Sequence, residues 1–181
     1  MRKIICEIAT SADGYIARGD GSVDWLDRPH PPGDYGMREF YASIDTILWG
    51  RKTLDTLLEF QRQGIPGAAF DPKVANYIFS RNPPAVSLPA GVEFVTEPIA
   101  AFAERLRATP GRNVWMMGGA GIIGSFLDAG ELDEFIINVM PVFIGEGIPL
   151  IAPGRRTVDL RLMDTRAFED GVVQHHYAVV R

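Results

Sequence analysis

The chain has 181 residues, 46% of them hydrophobic and 23% charged, which suits one globular domain spanning 1–181 with a sizeable core. Its net charge of −5 excludes a general nucleic-acid binder, whose affinity rests on neutralising phosphates with Lys and Arg. The single cysteine, Cys6, excludes an intrachain disulfide and a thiolate metal site, and no metal is expected.

Residues 4–10 read as a strand, ended by the turn Ser11-Ala12-Asp13-Gly14. Glu7 cuts this apolar run below the length of a signal peptide, and no stretch approaches the ~20 apolar residues of a membrane span. The cytoplasm is therefore the expected compartment. A polar glycine loop over 18–22 leads to Trp25, and the Pro-rich stretch 28–33 leads to Asp34, placed to cap a helix over 35–43. Residues 46–49 form a short buried strand, closed by Gly50-Arg51-Lys52-Thr53 and followed by a helix through Phe60 and a loop over 61–71.

A strand over 76–79 ends in Ser80-Arg81, 92–95 is another short strand, and 99–107 has helical periodicity. Val114-Trp115-Met116-Met117 runs into Gly118-Gly119-Ala120-Gly121, then a helix to Ala129 and a strand over 135–144. Two alternating runs, 158–168 and 172–180, flank Glu169-Asp170-Gly171, a hairpin signal. Repeated βα units followed by an antiparallel hairpin predict an α/β fold: a mixed, mainly parallel sheet with helices on both faces.

Gly119-Ala120-Gly121-Ile122-Ile123-Gly124 spells G-x-G-x-x-G, but the loop lies past the middle of the chain and no acid follows at the next strand end, which excludes a Rossmann domain. The chemistry of the loop survives that exclusion. Glycines let a ligand approach the backbone, and a helix N-terminus offers unpaired N–H groups and partial positive charge to a pyrophosphate. Ligands of open α/β sheets bind beyond the carboxyl ends of strands, and three such ends carry compatible residues: Gly50 to Thr53, Ser80-Arg81 and Gly118 to Gly121. Any one Arg or Lys is by default a solvated surface charge. Three after buried strands point to a phosphate, and Arg51, Lys52 and Arg81 suit the 2′-phosphate of NADPH.

Ser11-Ala12-Asp13-Gly14-Tyr15-Ile16-Ala17, Trp25, Gly50-Arg51-Lys52-Thr53, Ser80-Arg81, Met117-Gly118-Gly119 and the segment from Gly130 to Gly145 together resemble the dihydrofolate-reductase-like family. They most resemble its branch named for the C-terminal reductase domain of the bifunctional riboflavin-biosynthesis deaminase-reductase. The resemblance implies a three-layer α/β/α sandwich and an NADPH-dependent reductase of the 5-amino-6-(5-phosphoribosylamino)uracil reductase type, acting on a small heterocyclic or carbonyl substrate. It implies cofactor contacts from Gly50, Arg51, Lys52, Thr53, Ser80 and Arg81, from Met117, Gly118, Gly119, Ala120, Gly121, Ile122 and Ile123, and from the main chain of Ala9 and Ile16. It also implies a cis peptide between Gly118 and Gly119.

Asp34, sixteen residues before Gly50, has the spacing of the acid that holds the pterin in folate reductases, and is either the catalytic acid or a helix cap. Asn138, the strongly polar residue of its strand, is expected to face Asp34 or the substrate, and Trp25 to border the pocket. The loop from Gly19 to Trp25 is expected to act as a lid. His175 and His176 have no metal-ligand companions. Two departures narrow the substrate. Val74 stands where folate reductases carry a glutamate-binding arginine, and Met117 where the riboflavin-pathway enzymes commonly carry an acid. A true dihydrofolate reductase and a non-catalytic NADPH-binding module are the alternatives. The C-terminal hairpin offers an edge or face for a homodimer.

Overall fold

The structure is a computed structural model that describes residues 1–27, 34–64, 69–85 and 88–181. Its sheet is built from β1 (Ile4–Ser11), β3 (Ile44–Gly50), β4 (Ala75–Phe79), β5 (Val92–Val95), β6 (Asn113–Gly118), β7 (Glu134–Met140), β9 (Leu160–Ala167) and β10 (Val173–Val179), in the order β5-β4-β3-β6-β1-β7-β10-β9. Neighbours are parallel from β5 to β7, and β10 runs antiparallel to both β7 and β9. This is the mixed sheet with a C-terminal hairpin that the sequence pattern predicts. The hairpin turns at Gly171, whose φ of 87° suits glycine.

Side chains alternate across β1, so the strand feeds two cores. Ile4 and Cys6 pack with Phe102, Ala103 and Leu106 of α3 (Ile99–Ala108) and with Ile123, Phe126 and Leu127 of α4 (Ala120–Asp128). Ile5 packs on the opposite face with Phe40 of α1 (Met37–Ala42) and Leu54 of α2 (Arg51–Arg62). The three layers of the α/β/α sandwich follow. Trp49 and Trp115 belong to the second core, and each satisfies its indole N–H, on Asn76 Oδ1 and on the Glu7 carbonyl, both at 2.9 Å.

Two expected elements are shorter than the pattern suggests. The helix expected over 35–43 is Met37–Ala42, because Tyr35 and Gly36 sit at φ 53° and 82°, outside the helical region. The strand expected over 135–144 ends at Met140, where Pro141 has no N–H for the ladder. Beyond it the Ile144 and Gly145 amides donate to the Asp13 carboxylate. β2 (Tyr15–Ala17) then pairs with β8 (Ile148–Pro149), a two-stranded contact that the sequence pattern does not reveal. The Pro-rich stretch 28–33 and residues 65–68 of the loop over 61–71 lie outside the described residues.

Phe126 is fully buried at the seat of α4. Phe126→Ala is expected to cost about 3–5 kcal/mol, read as a lower urea midpoint at unchanged slope.

Candidate functional site

The carboxyl ends of β4, β3 and β6 lie in one row. Gly50 stands opposite Phe79 in β4, and Trp49 opposite Gly118 in β6, so the segments that follow these three strands emerge side by side. The approach is close: a Cβ on Gly50 would lie 3.2 Å from the Gly118 carbonyl oxygen, 3.2 Å from Ile122 Cγ2 and 3.4 Å from the Gly119 nitrogen. A Cβ on Gly119 would lie 3.6 Å from Thr53 Oγ1 and 3.7 Å from Ile16 Cδ1. Thus the loop after β3, the glycine pair and β2 converge on one spot. The Gly118-Gly119 peptide is cis, as the family resemblance implies, and Gly118 has a φ of 104°.

Gly119 caps α4 without a side chain, and no acid occupies the first turn. The Ile123 amide closes back on the Gly119 carbonyl at 3.2 Å, which leaves the amides of Ala120, Gly121 and Ile122 at the helix N-terminus. Nothing lies within 4 Å of a Cβ built on Gly121, so this turn is open on its outer side. That donor set fits a pyrophosphate: oriented N–H groups, a favourable helix dipole and no competing carboxylate.

Of the three expected cations, Lys52 and Arg81 are exposed, whereas Arg51 donates to Asp55 at 2.6 and 3.0 Å from the next helical turn. The Ser80 amide is engaged by the Val95 carbonyl at 3.1 Å, which fixes the chain as it leaves β4. Met117, Ile122 and Ile16 are half-buried and Ile123 is fully buried, so Ile123 acts as packing beneath the loop.

A cavity of about 260 Å³ opens between α1 and the face of β1, β7, β10 and β9, with Glu7, Tyr35, Phe40, Gln174, His176 and Arg166 among its lining residues. Glu7 is 6% exposed. Its Oε1 accepts from Asn138 Nδ2 at 2.6 Å, and Asn138 Oδ1 accepts from Gln174 Nε2 at 2.8 Å, which also donates to the Tyr35 carbonyl at 2.8 Å. This amide chain clamps one carboxyl oxygen. Among the described residues no donor reaches Oε2. Burial pushes the Glu7 carboxyl up to about 7, against the opposing hydrogen bond from Asn138. Glu134, in the same cavity, behaves oppositely: burial disfavours its charge, but hydrogen bonds from Lys3 and His176, at 2.5 and 2.9 Å, outweigh it and hold the group below its ordinary value.

Asp34 is exposed, and its two carboxylate oxygens accept from the Gly36 and Arg38 amides at 3.1 and 2.9 Å, so it ties the turn that leads into α1, whose N-cap is Gly36 rather than Asp34. Asn138 is buried as expected, but its partners are Glu7 and Gln174 rather than Asp34. Trp25 is buried against Met140 and Val172, and its Nε1 has no hydrogen-bond partner among the described residues. The segment before it is tied by the Arg18–Asp24 ion pair at 2.6 Å and by the Ser22 amide on Asp20 at 2.8 Å. Glu7 and Gln174 are absent from the sequence-level candidates. The signal for Glu7 was available, because an acid within a strand buried on both faces must find a partner or a ligand.

The model of the RibD C-terminal domain family matches residues 2–174. The chain belongs to that family. It is 38% identical over 175 residues to the uncharacterized protein YwjB of Bacillus subtilis, covering 97% of each chain. A putative riboflavin biosynthesis protein from Shewanella sp. PV-4 superposes with a TM-score of 0.84 at 26% identity, covering 99% of both chains. Dihydrofolate reductase from Enterococcus faecalis, solved with NADP(H), superposes with a TM-score of 0.65 at 17% identity over 99% of this chain and 97% of that one, a likeness of fold.

Within this RibD C-terminal domain, Cys6 is an inert core thiol: burial, reinforced by the neighbouring Glu7 charge, raises it far above the ordinary thiol range. Among the described residues no group of three or more His, Cys, Asp or Glu is arranged for a metal, and no helix is long and apolar enough to cross a membrane.

A carboxyl whose folded pKa lies above its unfolded value binds more protons in the folded state. Glu7 therefore favours folding at low pH, and that contribution falls as pH rises from about 4.5 through about 7. Replacing Glu7 with Gln is expected to remove this slope, on the order of 3 kcal/mol, from a plot of unfolding free energy against pH. An unchanged slope in the variant would contradict the assignment.

Proposed function

We propose that the protein is an NADPH-dependent reductase that transfers a hydride to a small heterocyclic or carbonyl substrate. The observation that carries this reading is the close approach of Gly50, Gly118-Gly119, Thr53 and Ile16 around the open N-terminus of α4. Ala120, Gly121 and Ile122 would hold the pyrophosphate with their amides. Lys52, Arg81 and Ser80 would take the 2′-phosphate side, with Arg51 shared between that phosphate and Asp55. Thr53 offers a hydroxyl beside the glycine pair, and Ala9, Ile16 and Met117 line the nicotinamide end.

Bound NADPH supplies the hydride. The residues of the chain then have two tasks, to exclude water and to supply a proton. Trp25 and Tyr35 pack in one apolar cluster with Ala9 and Met140 and would serve the first task. For the proton we place Glu7 ahead of Asp34, because Glu7 lines the cavity with one oxygen free of described donors, while Asp34 spends both oxygens on backbone amides at the entry to α1. Asn138 and Gln174 position Glu7. Val74 is buried at the position where folate reductases carry an arginine, which favours a substrate without the folate tail. The cavity of about 260 Å³ lies below the usual range for drug-sized ligands, which favours a small substrate.

NADPH at 100 times its Kd is expected to stabilise the protein by about 2.7 kcal/mol in thermal unfolding, with NADH needing a higher concentration for the same shift. A hydrogen bond to a charged group is worth about 1.5–3 kcal/mol, so Lys52→Ala and Arg81→Ala should each weaken NADPH about tenfold to a hundredfold while sparing NADH. No shift with either nucleotide would remove the reading, and equal shifts with both would remove the 2′-phosphate assignment.

A further inference from the structure

Tyr35, at the entry to α1, has a φ of 53°, a left-handed conformation that a tyrosine seldom adopts. Its side chain is anchored in the turn of the C-terminal hairpin: the hydroxyl donates to the Asp170 carboxylate, and the ring stands edge-on to Phe168 with 5.0 Å between centroids. Its carbonyl is engaged elsewhere, by Gln174 Nε2 of β10 at 2.8 Å. A backbone carbonyl only accepts, so Gln174 must present its amino group here. We propose that Tyr35 is a positioning residue whose carbonyl gives the chain Gln174–Asn138–Glu7 a single polarity and thereby keeps the proton of the Glu7 carboxyl on Oε2.

The polarity passes from one amide to the next. Gln174 Nε2 carries two hydrogens: one goes to the Tyr35 carbonyl and the other to Asn138 Oδ1, at 2.8 Å. With its oxygen engaged, Asn138 turns Nδ2 to Glu7 and donates to Oε1 at 2.6 Å. Turning either amide over would set oxygen against oxygen or N–H against N–H. Asn138 and Glu7 are each 6% exposed, and a mismatch in so dry a place is costly, so the order of donors is held. Oε1 therefore accepts whether Glu7 is charged or neutral. A neutral Glu7 has its proton on Oε2, which meets no described donor.

Glu7 lines the cavity, so the oxygen that is not spent on Asn138 is the one left for a ligand there. The consequence for catalysis rests on the reading of Glu7 as the proton source of the proposed reductase; the polarity of the chain does not. When a C=O or C=N bond takes up on carbon the hydride proposed to come from NADPH, its heteroatom keeps the bonding pair and takes the Oε2 proton. Glu7 is left as a carboxylate whose Oε1 already accepts from Asn138. Without the Tyr35 carbonyl, Asn138 is free to turn its oxygen to Glu7, which draws the proton to Oε1 and away from the ligand.

The test is infrared difference spectroscopy of the full chain without nucleotide, acid minus alkaline across the Glu7 midpoint of about 7. Glu39 of α1, Glu134 of β7, His176 of β10, Asp164 and Arg166 of β9 and the Tyr35 hydroxyl share the cavity, so the band of Glu7 is the one lost in Glu7→Gln. A carbonyl oxygen that accepts a hydrogen bond stretches at lower frequency than a free one. The wild-type band is expected at the hydrogen-bonded position, and a band at the free position overturns the proposal. Gln174→Met keeps the length of the side chain but removes both N–H groups. It should move the band to the free position and raise the midpoint by about one pH unit or more, because Asn138 then accepts from the neutral acid instead of donating to the anion. Tyr35→Gly tolerates the positive φ but lacks both anchors, and should move band and midpoint the same way. A purely structural Tyr35 would lower the unfolding midpoint and leave the band in place, which overturns the assignment. Should Tyr35→Gly fail to fold, Tyr35→Phe, which loses the hydroxyl anchor, takes its place: movement in the same direction supports the proposal and an unmoved band overturns it. Because no nucleotide is present, failure here leaves NADPH binding untouched, and failure to bind NADPH leaves these spectra unaltered.

Discussion

The fold turns on the position of β1, held between two parallel neighbours, β6 and β7, in the middle of the sheet. A strand in that position is covered on both faces, so the period of two along its backbone assigns each residue to one of two buried environments. Ile4 and Cys6 go to the α3–α4 side, and Ile5 goes to the α1–α2 side. Glu7 follows Ile5 by the same alternation, and the acid is thereby carried beneath α1, into the cavity. Its raised pKa and the amide chain from Gln174 through Asn138 are consequences of that placement rather than separate devices.

The same row of parallel strands sets out the side proposed for the cofactor. Parallel neighbours present their carboxyl ends together, so segments far apart in sequence leave the sheet as a cluster. Close approach then demands glycine: a side chain on Gly50 would press on the backbone of Gly118 and Gly119. The two ends of the site differ in character. The side proposed for the cofactor is made of backbone amides and exposed cations, which suit a phosphate in water, whereas the cavity holds a buried carboxyl and paired charges, which suit a small molecule.

Much of this was legible in the chain. Alternation, apolar runs and turn residues fixed the strands of the sheet to within a few residues, and the glycines and cations after β3, β4 and β6 marked the three strand ends. The tie from Asp34 to the first amides of the helix was legible, since Asp before a short helix commonly accepts from them, although the N-cap itself is Gly36. The helix bounds were less so. Tyr35 at φ 53° breaks the helical periodicity without any sign in its identity, held where its hydroxyl meets Asp170 from the distant hairpin.

What the sequence by itself determined is local: which segments alternate, where the chain turns, and that glycine and basic residues follow buried strands. Those properties depend on neighbours within a few positions, which a linear pattern records. Only the tertiary structure decided the partners, because Glu7 meets Asn138 across 131 positions and Asn138 meets Gln174 across 36. Strand order, not strand identity, made those contacts. A lone acid in an apolar run is an interruption in one dimension and becomes a site when the sheet places it over a cavity and leaves one of its oxygens without a described donor.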